Sequence, residues 1–470
     1  MRRTKIICTI GPVVNTKEKL MKLIKCGMNC ARFNFSHGTH ESQKEMMDIL
    51  KEARKALNRE IPILLDTKGP ELRFRDFENG SVILKTNDYF TIDDNETELG
   101  NINRGCVSYH ELGEHIRIGQ LILVDDGKIQ LKVKNINGHE ICCKVLVGGK
   151  LSNHKSLNVP NSDIPMAYLS DVDKSDLLFG ISQEVDFVAA SFVRTKQDMI
   201  DMRKFLDDNG GENIQIIAKI ENTQGVRNYK DILEIADGIM VARGDLGVET
   251  PFEEIPSIQK KLIEECNKRG KISVVATQML ESMTSSPRPT RAEVSDVANA
   301  VFDGAGAIML SGESANGLYP FDAVKTMSNI ATSAEKSVNN IRHVDAIYHE
   351  KSLTTATCKA AVEAANSMQA KCILVLSRSG NTAKILSSYK PSIPVIAMVA
   401  EEHGCRQCSL YYDLLPIKVG RQNTPDEVLN EAKEKINELH LVKKGDVVVL
   451  ISGTTFSHGH TDSMLLYEIE

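Results

Sequence analysis

The chain has 470 residues, room for roughly two to four domains and a large buried core, with 41% hydrophobic and 26% charged residues, the balance of an ordinary globular protein. No apolar run approaches the ~18 residues of a membrane span, and residues 1–7 carry no apolar export segment, so a protein without membrane association is expected. A net charge of −6 disfavours a nucleic-acid binder.

Short apolar runs at 5–11, 30–37, 61–69, 187–193, 214–222, 238–245, 272–279 and 306–313 alternate with helical patterns such as 17–26, 43–57 and 258–269. Each run is too short for a typical helix and is bounded by turn or charged residues, as in strands buried on both faces. Strand-helix alternation implies parallel pairing through right-handed crossovers, and eight such units close into a (β/α)8 TIM barrel. The rhythm breaks between Gly69 and a helix expected near Ser170. There the pattern has period 2, as at 129–134 before a turn at 135–138, and reads as a small β-barrel lid inserted after the third strand. A polar stretch, 336–351, reads as a boundary. Beyond it come a helical pattern at 354–368, strands at 372–377, 394–400, 414–419 and 446–452, and a final run at 464–469 that pairs antiparallel. The expected units are a catalytic barrel (1–69 and 166–340), a lid (70–165) and a C-terminal α/β domain (350–470).

Eleven cysteines, an odd number without a disulfide-scaffold rhythm, fit a reducing cytoplasm. Cys405 and Cys408 form the one C-x-x-C; with no second pair at metal spacing they read as two buried thiols.

Barrel chemistry collects where strands end, because those ends face the mouth. Strand two ends in Arg32, Asn34, Ser36 and His37, strand three in Asp66-Thr67-Lys68, strand five in Lys219-Ile220-Glu221, strand six in Arg243-Gly244-Asp245, strand seven in Thr277-Gln278 and strand eight in Ser311-Gly312-Glu313. One such residue is usually a solvated cap, but six polar ends on one rim are not explained that way, since parallel strands otherwise run apolar. Glu221 and Asp245 are hard oxygen donors suited to Mg²⁺ or Mn²⁺. Lys219 is a compact cation able to neutralise a phosphoryl group in transfer, and Arg32 offers a planar fork to phosphate oxygens. Asn34, Ser36, Asp66 and Thr67 supply oxygen and one formal charge, which suits a monovalent cation or an ordinary hydrogen-bond network. Other motifs fall away. No phosphate-binding Gly-x-x-x-x-Gly-Lys-Ser/Thr is present, Asp171–Asp176 lacks the turn glycine of a calcium loop and reads as a capped helix start, and His458 and His460 read as surface residues. In the C-terminal region Ser377-Arg378-Ser379-Gly380-Asn381-Thr382 lies between a strand and a helix, where an anion site and a plain N-capped turn fit equally well.

Together the strings Thr9-Ile10-Gly11-Pro12, Ala31-Arg32-Phe33-Asn34-Phe35-Ser36-His37-Gly38, Leu65-Asp66-Thr67-Lys68-Gly69-Pro70-Glu71, Lys219-Ile220-Glu221-Asn222, Ala242-Arg243-Gly244-Asp245-Leu246-Gly247-Val248, Ala276-Thr277-Gln278-Met279 and Pro287-Arg288-Pro289-Thr290 closely resemble pyruvate kinases, in family order nearly end to end. The resemblance implies transfer of a phosphoryl group from phosphoenolpyruvate to ADP in the cytoplasm, by a homotetramer using Mg²⁺ (or Mn²⁺) and K⁺. It assigns Glu221 and Asp245 to the divalent metal; Asn34, Ser36, Asp66 and Thr67 to potassium; and Lys219, Arg32, Thr277 and Ser311 to catalysis. Arg32, Gly244, Asp245 and Thr277 would hold the substrate, and Asn34, His37, Arg73 and Lys155 the nucleotide. Glu71 matches family members that need potassium. Ser377, Arg378, Ser379, Gly380, Asn381 and Thr382 match the family's loop for a sugar-phosphate or nucleotide effector. Two departures stand out: His154-Lys155-Ser156-Leu157-Asn158 replaces the lid's common Lys-Lys-Gly-Val-Asn, and Asn316 replaces a lysine common in animal forms. Two rivals stay open at this point. Another barrel enzyme of the phosphoenolpyruvate group, an aldolase or mutase, would lack the lid and the Arg32-x-Asn34-x-Ser36 string; a catalytically silent metabolite sensor would have no need of Lys219, Glu221 and Asp245.

Overall fold

The structure, a computed structural model, describes residues 2–95, 98–337, 352–420, 425–438, 441–453 and 461–469. The expected boundary from residue 338 to 351 and the His458 and His460 pair lie outside the described residues.

Eight strands, Lys5–Thr9, Cys30–Asn34, Ile63–Asp66, Phe187–Ala190, Gln215–Ile220, Gly238–Ala242, Ile272–Ala276 and Ala307–Leu310, pair in parallel in chain order and close, the last beside the first. Apolar positions of both parities are buried. Alternate residues such as Ile7, Leu64, Phe187, Ile217, Met240 and Val274 fill the barrel. Their neighbours, such as Ile6, Leu65, Val188, Ala218 and Val275, pack outward against the helices. The inward set runs on without a break into C-terminal residues such as Ala361, Val375 and Leu410, so the barrel floor packs on the C-terminal domain.

The helices begin where side chains can satisfy free amides. The expected helix at 17–26 is Lys17–Cys26, with Thr16 accepting from the Lys19 amide. The one expected at 43–57 starts three residues sooner, His40–Leu57, because Thr39 and Ser42 form a reciprocal capping box. The one expected at 258–269 is Ile255–Lys268, with proline in its first turn. Asp171–Ser182 is capped by Ser170 and Asp173, as read from the sequence. Strand six ends earlier than expected, at Ala242, and Arg243–Glu249 forms a short helix, so Gly244 and Asp245 occupy a helical first turn rather than a strand.

The insertion is a two-stranded ribbon (Ser81–Leu84 with Gly149–Ser152) and a six-stranded sheet around one core that includes Phe74, Phe90, Leu131 and Val145. The turn expected at 135–138 is tighter. The strand Ile129–Asn137 runs through Asn135 to Asn137, an irregular register near Val133 absorbs a residue, and the chain reverses at Gly138 with φ 58°. The C-terminal sheet orders Leu414–Lys418, Val395–Val399, Cys372–Ser377, Val447–Ser452 and Ser463–Glu468, parallel but for the last, which is antiparallel as expected. None of the eleven cysteines is in a disulfide; Cys405 and Cys408 are buried, and burial pushes both up, Cys408 to about 11. Among the described residues no helix is long and apolar enough to cross a membrane.

Candidate active site at the barrel mouth

Inward parity carries the site. In strands one to five the inward position after the last apolar inward residue is polar: Thr9 above Ile7, Arg32 above Cys30, Asp66 above Leu64, Ser191 above Ala189 and Lys219 above Ile217. Asp66 is the hub, about 1% exposed. Its Oδ2 accepts from Arg32 Nε at 2.6 Å and its Oδ1 from Lys219 Nζ at 3.0 Å. Burial works to raise Asp66, but these two cations prevail and hold it below the usual carboxylate range. Burial likewise works to lower Lys219, and Asp66 and Glu221 together hold it above the usual ammonium value instead.

Glu221 is buried, with Oε2 accepting from the Phe192 amide at 2.6 Å. Its Oε1 lies 3.0 Å from Lys219 Nζ, an ion-pair contact, yet no N–H or O–H points at it. Burial and the neighbouring Asp245 push Glu221 up to about 7. Burial also raises Asp245, with Glu71 and Asp126 of the lid adding to it and Lys219 working against it. Two facing carboxylates with one oxygen lacking a donor form a set that fits a hard divalent cation, whose shell commonly needs one or two protein carboxylates.

The Gly244 amide donates to Thr277 Oγ1 at 2.8 Å, which joins strand six to strand seven. Thr277 and Gln278 follow one another at φ 69° and 53°. A β-branched residue in the left-handed region is strained by about 1–3 kcal/mol. Arg243 fixes this turn by donating NH2 to the Thr277 carbonyl at 2.7 Å, while its NH1 pairs with Asp296 at 2.7 Å. Ser311 donates its amide to Glu313 Oε2 at 2.8 Å, and the buried Glu313 Oε1 takes the Leu280 amide.

The remaining predicted residues divide between the rim and the lid. Asn34 is half-buried and its Oδ1 accepts from the Ser36 amide at 3.1 Å; Ser36 and His37 are exposed. Thr67 is buried, its Oγ1 accepting from the Ser191 amide. With Asn34, Ser36, Asp66 and Thr67 the donor set is all oxygen. Asp66 accepts from Arg32 and Lys219 and lies 3.1 Å from the Ser191 hydroxyl, against about four acceptor sites on a carboxylate, so these residues fit a weakly held monovalent cation. Arg73 and Lys155 stand on adjacent lid segments, each already paired: Arg73 with Glu71 and the His154 carbonyl, Lys155 with Asp125 at 2.7 Å. Within the departure from the common lid string His154 is left-handed (φ 58°), and Ser156 forms a β-bridge with Arg73. A cleft of about 560 Å³ lined by Lys68, Glu71, Arg73, His154 and Met166 separates this part of the lid from the barrel. In the C-terminal loop, Ser377 Oγ accepts from the Gly380 amide, Gly380 is left-handed (φ 85°) and caps the helix Asn381–Ser388, and Arg378 pairs with Glu401 at 3.0 Å.

Two residues of the rim escaped the reading from charge: Thr9, which accepts from Arg32 NH1 at 2.8 Å, and Ser191, which accepts from Lys219 Nζ at 2.7 Å. Strand parity would have found both.

The family model described as pyruvate kinase, barrel domain, matches residues 1–324, and that described as pyruvate kinase, alpha/beta domain, matches 355–467. A pyruvate kinase of Clostridium perfringens is 44% identical over 472 residues, covering 100% of both chains. One from Clostridium acetobutylicum is 43% identical over 475 residues, again covering 100% of both. One from Staphylococcus saprophyticus is 44% identical over 473 residues, 99% of this chain and 80% of the relative. A solved pyruvate kinase structure from Cryptosporidium parvum superposes with a TM-score of 0.95 at 38% identity, covering 100% of this chain and 96% of that one.

Proposed function

The chain belongs to the pyruvate kinase family of phosphotransferases, and on that premise we propose that its barrel mouth moves the phosphoryl group of phosphoenolpyruvate onto ADP, giving pyruvate and ATP. The observation that carries this reading is the buried chain of charges Arg32, Asp66, Lys219 and Glu221, two cations interleaved with two carboxylates at the strand ends.

Glu221 and Asp245 would hold Mg²⁺ or Mn²⁺; the Glu221 oxygen without a donor supports this assignment. Bound there, the metal would neutralise charge on the substrate oxygens and polarise the enol oxygen. Lys219 and Arg32 carry fixed positive charge to the equatorial phosphoryl oxygens as ADP attacks in line. The first-turn amides of Gly244 and Asp245, with the Thr277 hydroxyl, bind the substrate carboxylate; the Gly244 to Thr277 bond is the contact this carboxylate replaces. Departure of the phosphoryl group leaves the enolate of pyruvate, and a proton reaches its methylene carbon through water near Thr277 and Ser311. Asn34, Ser36, Asp66 and Thr67 form the potassium site. Asn34 and His37 on the rim, with Arg73 and Lys155 on the lid, meet the nucleotide; for this the pairs of Arg73 with Glu71 and Lys155 with Asp125 exchange for phosphate as residues 70–165 close and exclude water.

The loop Ser377–Thr382 takes a phosphorylated effector, a reading supported by its hydroxyls, its left-handed Gly380 and the helix N-terminus behind it. Apolar residues exposed on the edge strand Ser463–Glu468 (Met464, Leu465, Leu466) and at Phe252 and Leu318 support a homotetramer. Eleven cysteines, none of them in a disulfide, support a cytoplasmic setting. One coupled assay of pyruvate from phosphoenolpyruvate and ADP, with and without Mg²⁺ and K⁺, tests the core reading; no pyruvate with all four present would sink it. Sugar phosphates and nucleoside monophosphates titrated against the phosphoenolpyruvate saturation curve test the loop, and light scattering after gel filtration tests the assembly.

A further inference from the structure

Three of the eight strands, the first, fourth and seventh, bring no charged side chain to the mouth, and two of these, the first and the fourth, end in a buried hydroxyl instead. We propose that these hydroxyls, Thr9 and Ser191, are positioning residues that fix the two phosphoryl-binding cations, an inference that rests on the phosphotransfer reading.

The hydrogen bonding is directional at both. Thr9 Oγ1 donates to the Leu310 carbonyl on the neighbouring eighth strand at 2.9 Å, which leaves its lone pairs to accept from Arg32 NH1 at 2.8 Å. Ser191 has a single proton with two acceptors in reach, the Thr67 carbonyl at 2.7 Å and Asp66 Oδ1 at 3.1 Å; either choice turns a lone pair to Lys219 Nζ at 2.7 Å. Each hydroxyl rotor is therefore locked by an acceptor on an adjacent strand, and the strand register holds it in place: Thr9 stands opposite Arg32, and Ala190 opposite Ala218, one step before Ser191 and Lys219.

Without these hydroxyls Arg32 and Lys219 would share one carboxylate as hydrogen-bond acceptor, with Glu221 left as an ion-pair contact of Lys219 alone. Asp66 uses Oδ2 for Arg32 and Oδ1 for Lys219, so a pivot of its carboxyl group would swing both together. Thr9 and Ser191 give each cation a second fixed point besides Asp66. They also set which N–H groups remain for substrate. Lys219 has three and commits two, to Asp66 and Ser191. Arg32 has five and commits two, to Asp66 and Thr9. Transfer in line depends on sub-ångström placement of such charges, so loosening them should act on the chemical step.

The test compares Thr9→Val, of the same shape without the hydroxyl, with Thr9→Ser, which keeps it, and adds Ser191→Ala. Expected is an about 10- to 100-fold fall in kcat for Thr9→Val and for Ser191→Ala, from loss of one hydrogen bond to a charged group each. The KM for ADP should stay within about twofold and Thr9→Ser within about threefold of the wild type in kcat, as for uniform binding left intact. Thermal unfolding reports whether each variant is folded; if Ser191→Ala is not, the Thr9 pair decides alone. A purely structural role for the hydroxyls predicts lower melting temperatures with unchanged kcat in the folded variants, and that result would overturn the inference. Were the wild type itself to make no pyruvate, the phosphotransfer reading would fail and this inference with it; wild-type turnover with unaffected variants would sink the inference alone.

Discussion

Lys219→Met deletes one charge from the centre of the site while keeping a side chain of similar length. Lys219 is 8% exposed and touches Asp66 and Glu221 at 3.0 Å each, so it is screened little by solvent. Its loss should raise the barrier by about 3–5 kcal/mol, the range for a preorganised charge facing a developing anion. At 1.36 kcal/mol per decade that is about a 10²- to 10⁴-fold fall in kcat. Arg32 remains on Asp66 to meet the phosphoryl group, so the KM for phosphoenolpyruvate should change less than about tenfold. Lys219→Arg should not restore the rate, because a forked guanidinium cannot reproduce a compact ammonium in this buried space. The measurement is pyruvate formation coupled to NADH oxidation at saturating Mg²⁺, K⁺ and both substrates, with thermal unfolding as the control for folding. A folded Lys219→Met protein with turnover within tenfold of the wild type would refute the reasoning.

Other regions offer independent checks. A methyl group at Gly404 would lie 2.2 Å from the Ser379 carbonyl oxygen, a backbone atom, so Gly404→Ala must displace the 377–382 loop; it should cost about 1–3 kcal/mol in urea unfolding and abolish any effector response, while effector-free turnover stays near normal. Arg406, on the C-terminal side, pairs with the fully buried Asp186 below barrel strand four at 2.8 Å; Arg406→Met should cost about 3–5 kcal/mol, and adding Asp186→Asn should recover part of it in a double-mutant cycle by urea titration. Burial pushes the ammonium of Lys390 down to about 8, while its Nζ donates to the Gly304 carbonyl at 2.6 Å. A folded value below the unfolded one makes stability rise as pH climbs from about 8 toward about 10.5, and fall as pH drops through 8. Lys390→Met should flatten that rise by about 2–3 kcal/mol, read as urea midpoints from pH 7 to 10 relative to the wild type. An equal slope in both proteins would show that Lys390 is not the group responsible.

The barrel was legible because its signals are local. Eight apolar runs of strand length, each followed by a helical pattern, admit few arrangements once crossovers must be right-handed. Where expected and observed bounds differ, a specific side chain decides. Thr39 and Ser42 pull a helix start forward to His40, and the amides after Ala242 turn into a helix because Thr277 Oγ1 accepts from Gly244. Contacts between the barrel floor and the C-terminal domain were not legible. Gln407 donates to the Asp186 and Asn213 carbonyls and accepts from Lys384, but these partners lie far apart in sequence and nothing in the local pattern of any one of them names the others.

The site shows the same division more sharply. Residues found from the sequence were those whose charge is anomalous in an apolar strand, Arg32, Asp66, Lys219 and Glu221, and the structure does gather them. A charge criterion passes over hydroxyls, since threonine and serine are common in any loop. Thr9 and Ser191 become visible only when the inward parity of each strand is carried one step past its last apolar residue, a rule that depends on knowing which parity faces in. That parity is fixed by Arg32, Asp66 and Lys219 themselves, because a buried charge has to face the mouth rather than the helical shell. Once Arg32 is placed inward at the register of Thr9, the inward face of strand one follows, and Lys219 fixes strand four in the same way. The charged residues thus locate the uncharged ones, which is why strands one and four, which carry no charge there, can still be assigned a part in the site.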